Sequence, residues 1–199
     1  MSADNTTATF AGNGFSGIYV WGCQVEAGAF ATSYIPTVAS QVTRSADSAS
    51  MTGTNFSSWY RTDEGTIYSE FLRESTSGAT RGVWSINSGV TNNSMDYRPN
   101  SSNYTVQING VSQADMYPGG GSANVSTKSA FVYKTNDFAA TTNAGTIQTD
   151  TAGFIPSVTQ LQIGALSVVA GQVFGGTIKK LAYYPKRLTN AELQGLTTV

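Results

Sequence analysis

No histidine occurs among the 199 residues. That absence removes the side chain most often used as a general base near neutral pH and the commonest transition-metal ligand. Charge is also scarce. Asp, Glu, Lys and Arg together make up 12% of the chain, and the formal net charge is −1. A nucleic-acid binder carries a basic stripe, and none is visible, so DNA and RNA are not expected partners. The single cysteine, Cys23, has no intramolecular disulfide partner. Its apolar neighbours in Gly17–Glu26 (GIYVWGCQVE) suggest a small buried hydrophobe and not a reactive thiol. No apolar run approaches the ~18 residues of a membrane helix, so membrane insertion is not expected. Ser, Ala, Asp and Asn follow Met1, which lacks the charged and apolar regions of a signal peptide.

What the chain has in quantity is Ser, Thr, Asn and Gly. Such a composition favours short strands joined by neutral, hydrogen-bonding turns. At this length about 70% of the unfolded surface can be buried, so one all-β domain needs no disulfide or metal. Gly17–Glu26 reads as a strand, and Gly28–Thr37 runs extended into Pro36, which biases Ile35 away from helix. Gly65–Leu72 places Ile67 and Phe71 on one face and Tyr68 and Leu72 on the other. Arg81–Asn87 offers Val83, Trp84 and Ile86. Tyr104–Asn109 alternates, with Tyr104, Val106 and Ile108 inward and Thr105, Gln107 and Asn109 outward, and Asn109-Gly110 then signals a hairpin. Lys128–Lys134, Phe138–Thr142, Thr146–Asp150 and Gln160–Leu166 follow as strands. Trp21, Trp84, Phe131 and Tyr133 are expected in the core. Ten or more short strands with one helix spell an all-β sandwich.

The helix is the most sharply written element. After the strand through Tyr183 and Tyr184 and the stop at Pro185, Thr189 suits the N-cap. Glu192 sits at N3, where its carboxylate reaches back to the cap, and Leu188 and Leu193 are placed to close as a hydrophobic staple. About two turns are too few to stand alone. The leucines must therefore dock on the sandwich, and a sheet end is the expected place.

Candidate chemistry is thin. Glu70 and Glu74 share one strand face about 13 Å apart, beyond the separations glycosidases use. Asp63-Glu64 lies in a loop. Hydrolase activity is therefore not expected, nor is a cofactor. Asp96, Asp115 and Asp150 are dispersed, so no metal site is expected. Sugars are gripped by a flat aromatic ring flanked by neutral hydrogen-bonding side chains. The loop or near-loop aromatics Trp59, Tyr60, Tyr97, Tyr104 and Tyr117, with Asn92, Asn93, Asn100 and Asn103 nearby, are the candidate glycan contacts.

Two stretches carry a resemblance. Ile18–Thr37 (IYVWGCQVEAGAFATSYIPT) resembles the domain-junction motif of bacteriophage tail and other virion proteins, which often reads WGAQLEAG-F-TSYIPT. Cys23 and Val25 stand where Ala and Leu are usual. Lys128–Leu196 is similar to the last strands of laminin-G-like, concanavalin A-like jelly rolls, through Ala130-Phe131-Val132-Tyr133, Phe138-Ala139, Leu161-Gln162-Ile163-Gly164 and Gly176-Thr177-Ile178 onward to Leu193. The resemblance implies an arm with an orphan strand over residues 1–37, followed by a jelly-roll β-sandwich over residues 38–199. It implies a virion structural protein, on a tail fibre or similar appendage, that attaches to host-surface glycans. A capsid decoration or head-fibre protein with no glycan role is the alternative. In longer relatives an upstream domain covers the orphan strand, so the chain is expected to be either a C-terminal product or a short form. The strand's two apolar faces then make Tyr19, Trp21 and Val25 candidate contacts to other virion proteins or to further copies, with a homotrimer expected by the same resemblance.

Overall fold

The computed structural model describes residues 12–15, 17–26, 34–43, 48–76, 81–166 and 172–199. The chain divides into two compact units, Met1–Ala46 and Asp47–Val199.

In the larger unit the chain runs β1 (Ala49–Thr52), α1 (Thr54–Ser57), β2 (Glu64–Arg73), β3 (Trp84–Asn87), β4 (Ser94–Arg98), β5 (Asn103–Ile108) and β6 (Val111–Met116). It continues through β7 (Ser126–Lys134), β8 (Phe138–Thr142), β9 (Gln148–Asp150), β10 (Gln160–Ile163), β11 (Gly176–Tyr184) and α2 (Asn190–Thr197). The strands form two antiparallel sheets, a six-stranded one ordered β1-β10-β3-β4-β5-β6 and a five-stranded one ordered β11-β2-β7-β8-β9. Alternation decides which side chains fill the space between them. Ile67 and Phe71 of β2, Trp84 and Ile86 of β3, Tyr104 and Val106 of β5 and Phe131 of β7 all join one buried cluster. The β5–β6 hairpin turns at Asn109 and Gly110, both with positive φ (50° and 78°), the pair of conformations a two-residue turn of this kind needs. Asn93 Oδ1 accepts from the Asn109 amide at 3.0 Å, which ties this turn to the β3–β4 connection.

A second apolar cluster lies on the outer side of the five-stranded sheet. Tyr68, Ala130, Val132 and Ala139 meet Leu188 and Leu193, with Leu196 packed against them. The C-terminal helix therefore covers the face of β7 and β8, not an end of the sandwich as the sequence suggested. The side chains it covers are Ala130 and Val132 of β7, Ala139 of β8 and Tyr68 of β2, apolar surface that would be costly to leave in water. Burying Leu193 alone is worth about 2 kcal/mol. The cap is formed as expected: Thr189 Oγ1 accepts from the Glu192 amide at 3.3 Å and Glu192 Oε2 accepts from the Thr189 amide at 2.7 Å. Arg187 fastens the approach to the helix with two hydrogen bonds to Asp137, at 2.9 and 2.7 Å.

In the smaller unit, Gly17–Glu26 carries no strand among the described residues. None of the described residues forms a ladder with it, and a ladder is what defines a strand. Cys23 is exposed, and Trp21 is 84% exposed, so neither is buried as expected. Tyr19 and Val25 are fully exposed as well. Trp21 leans on Tyr34 with ring centroids 5.1 Å apart, and Gln24 Oε1 accepts from the Ile35 amide at 2.8 Å. The expected extended run over Gly28–Thr37 falls largely outside the described residues. No helix of the described residues is long and apolar enough to cross a membrane.

Candidate functional site: a polar face on the six-stranded sheet

The two outer faces of the sandwich differ. The five-stranded sheet's carries α2 over an apolar patch of Tyr68, Ala130, Val132 and Ala139, beside a charged row of Glu70, Lys128 and Lys180. The six-stranded sheet's outward positions are polar on every strand. Strand register aligns Ser50, Gln162, Ser85, Asp96, Thr105 and Asp115 in one row across all six strands. Thr52, Gln160, Asn87, Ser94, Gln107 and Ser112 form the adjacent row. Arg98 and Asn103 pair on the other side of the first row.

These side chains are packed tightly. Ser85, Asn87 and Ser94 are inaccessible to solvent, and Asp96, Thr105, Gln162 and Asn103 are all under a tenth exposed. Thr105, expected outward, does point away from the core, yet it too is buried among its polar neighbours. Asp96 Oδ2 accepts from Ser94 Oγ and from Arg98 Nη2, each at 2.9 Å. Burial pushes the Asp96 carboxyl above its ordinary value, and hydrogen bonding from Ser85 together with the Arg98 charge offsets part of that rise. Asn87 Nδ2 donates to Ser85 Oγ at 2.8 Å, Gln160 Nε2 to Asn87 Oδ1 at 2.8 Å and Asn103 Nδ2 to Thr105 Oγ1 at 2.9 Å.

The network is incomplete. Among the described residues Asp96 Oδ1, Arg98 Nε, Asn103 Oδ1 and Gln162 Oε1 are buried and find no hydrogen-bond partner. Buried polar atoms are nearly always paired, and each that is not leaves a cost of about 1–3 kcal/mol unless water or a ligand completes it. These atoms lie beneath the surface of the face, whose accessible members include Ser50, Thr52, Gln160 and Ser112. Its rim holds the half-buried Arg98 and Gln107 and the exposed Asp115 and Tyr117.

The sequence-predicted aromatics separate. Tyr97 and Tyr104 are wholly buried on the inner side of this sheet and offer no sugar platform. They sit opposite each other at inward positions of β4 and β5. Tyr60 is also buried, stacked on Phe56 at 4.7 Å and on Tyr133 at 5.9 Å. Trp59 is half-buried; its indole N–H donates to the Asn55 carbonyl at 2.7 Å. It lines an apolar cavity of about 210 Å³ between the sheets, together with Met51, Ile67, Ile86, Leu161, Ile163, Leu181, Ala182 and Tyr183. Tyr117 alone of the five is largely exposed, at 61%, directly after β6. Of the flanking asparagines, Asn103 belongs to the polar face, while Asn93 holds the turn at Asn109.

The carboxylates behave as local partners. Arg61 clasps Asp63 and holds its carboxyl down at about 2. Glu70 Oε1 accepts from Ser126 Oγ at 3.0 Å. Among the described residues no three His, Cys, Asp or Glu side chains gather as a metal would require. Gln162, Ser85, Ser94 and Thr105 were missed as site residues. Their signal was available: a polar residue at every second position of strands whose other positions fill the core.

No protein-family model matches the chain, and no curated protein matches it. Solved structures do. The CBM40 of the Ruminococcus gnavus IT-sialidase, bound to α2,3-sialyllactose, superposes with a TM-score of 0.57 at 18% identity, over 69% of this chain and 83% of that one. The same module bound to α2,6-sialyllactose gives 0.55 at 18% identity, over 68% and 83%. A native heptameric SAP-like pentraxin from Limulus polyphemus gives 0.50 at 14% identity, over 69% and 70%. The fold is a concanavalin A-like jelly roll. The resemblance that Lys128–Leu196 carried in sequence is thus matched in three dimensions, and the likeness at these identities is one of fold.

Proposed function

We propose that this chain is a non-catalytic glycan-binding jelly roll belonging to a bacteriophage virion structural protein, carried on a tail fibre or similar appendage to attach to the host surface. The observation that carries glycan binding is the pair of outward rows on the six-stranded sheet, whose accessible members Ser50, Thr52, Gln160, Gln107 and Ser112 are neutral hydroxyls and amides, with the exposed Tyr117 directly after β6. Neutral amides and hydroxyls in register are the chemistry that grips sugar hydroxyls. The Ruminococcus gnavus module of this fold is bound to sialyllactose in two structures, which supports the reading without fixing the sugar. The virion setting is supported by the junction-like stretch Ile18–Thr37 alone. A single shallow site gives affinity near millimolar, so attachment draws on several copies together.

A glycan array probed with the full chain in its native oligomer tests the first part, and locating the chain in a map of an intact virion tests the second. Absence of any glycan signal would leave the decoration or head-fibre reading. That reading draws on a separate observation, the exposed Tyr19, Trp21 and Val25 of the smaller unit.

A further inference from the structure

We infer that the smaller unit holds a self-association site, a groove that takes the apolar ridge Ile18–Val20 of a second copy of this chain. Cys23–Glu26 forms one wall, and Ile35 with Thr37–Thr43 forms the other, around an open space of about 750 Å³. Gln24 Oε1, accepting from the Ile35 amide at 2.8 Å, ties the walls together. Val25, Val38 and Val42 line the groove and are all exposed, Val38 at 98%. The ridge is as bare, with Ile18 88% and Val20 69% exposed.

Area and charge name the occupant. Among the described residues of this unit none is buried, and most of the large apolar side chains exposed among the described residues belong to it. Phe15, Tyr19 and Trp21 alone present roughly 600 Å² at the usual size of aromatic side chains. Ile18, Val20, Val25 and Val38 carry the total past the ~800 Å² that each partner gives a stable interface. Glu26 is the sole charged residue among the described residues of the unit, and the ridge brings no charge to meet it. The groove therefore gives little electrostatic steering to a partner of opposite sign, while the ridge of a second copy enters it without repulsion. Each copy carries both ridge and groove, so a two-fold pair or a closed ring fills every groove. This association is independent of glycan binding.

Cys23 lines the groove and is exposed, so its thiol reports cover. The test follows maleimide labelling of Cys23 and sedimentation of the purified full chain from nanomolar to tens of micromolar. Labelling is expected to slow about tenfold as the chain associates, since thiol reactivity follows access. Val38→Asp charges the groove, and Ile18→Asp with Tyr19→Asp charges the ridge. Neither apolar cluster of the larger unit contains these residues, so both variants should melt like the parent. Each alone should be monomeric, with Cys23 labelled at the full rate. Mixed, they should pair, with Cys23 shielded only in the ridge variant, whose groove is intact. A full chain that stays monomeric at tens of micromolar overturns the inference. So does association that leaves Cys23 as reactive as in the monomer, or that survives either variant. Variants that fail to pair when mixed overturn the assignment of ridge to groove.

Discussion

Tyr97 and Tyr104 face each other across the β4–β5 pair and stack ring on ring, with centroids 4.1 Å apart and planes 13° from parallel. The stack continues onto Phe131 of the opposite sheet at 5.1 Å. Three rings thus bridge the two layers of the sandwich. Both phenols end on hydrogen-bond partners, Tyr97 donating to the Gly119 carbonyl at 3.1 Å and Tyr104 meeting the Ser129 hydroxyl. Buried phenols satisfied in this way are rigid and neutral.

A pH dependence follows. Burial pushes Tyr97 from 10.0 up to about 12, and pushes Tyr104 well above its ordinary value. A phenol whose folded-state pKa is raised contributes its full stability below the unfolded value and loses it as pH climbs through the folded one. Stability should therefore hold up to pH 10 and fall steeply between pH 10 and about 12. Urea titrations across that window check it, and Tyr97→Phe should flatten the fall. A flat profile through the window would mean these rings are not sealed from water.

The reciprocal Thr189–Glu192 cap secures a helix of 8 residues. Thr189→Ala should lower stability by about 1 kcal/mol. Leu193→Ala, in the fully buried position beneath the helix, should cost about 2–5 kcal/mol. Thermal melts of both variants measure this. Equal melting temperatures for Thr189→Ala and the parent chain would refute the contribution assigned to the cap.

Asp96 carries a stability cost of its own. Its carboxyl is raised above 3.8, chiefly by burial. Native and unfolded chains are equally protonated below that value. As pH rises, the unfolded carboxyl ionises first, so stability is lost on the way to neutrality. Asp96→Asn removes that loss and keeps an acceptor for Arg98. The variant should melt above the parent at neutral pH and alongside it in acid. A variant that melts lower at neutral pH would show that the Arg98 pair outweighs the burial.

How far the sequence discloses this arrangement varies from residue to residue. In β5, Tyr104 and Val106 alternate with Thr105 and Gln107, and both the strand and its inward face are plain. Thr189, Glu192 and the two leucines spell the helix start for a local reason, since capping partners lie within four residues. Met95 and Tyr97 in β4 alternate too, but among Asn, Ser and Asp the short strand reads as loop, and Tyr97 with it. The polar face is harder still. Gln162 joins Ser85, and Ser85 joins Asp96, only through pairing of strands distant along the chain, β10 with β3 and β3 with β4. Period-two alternation separates inward from outward, but it does not say that an outward polar residue will be buried and left short of a partner.

The exposed apolar side chains of the smaller unit lead to the last prediction. Tyr19 and Val25 are fully exposed and Trp21 is 84% exposed, while Ile18 is 88% exposed. At ~25 cal/mol per Å² of apolar surface, leaving such a group in water forgoes several kcal/mol. Cover by a neighbouring copy or another virion protein is the proposed remedy, through strand addition or packing about a symmetry axis. Light scattering should therefore show the full chain associating, with a trimer expected, and the chain lacking residues 2–37 monomeric. Both hydrophobic clusters are built from residues after that cut, so the shortened chain should keep a cooperative melt. Tyr19→Ser with Trp21→Ser should weaken association without the deletion. A full chain that stays monomeric at micromolar concentration, with the amides of residues 18–26 protected from hydrogen exchange, would show that the segment finds its cover within its own chain.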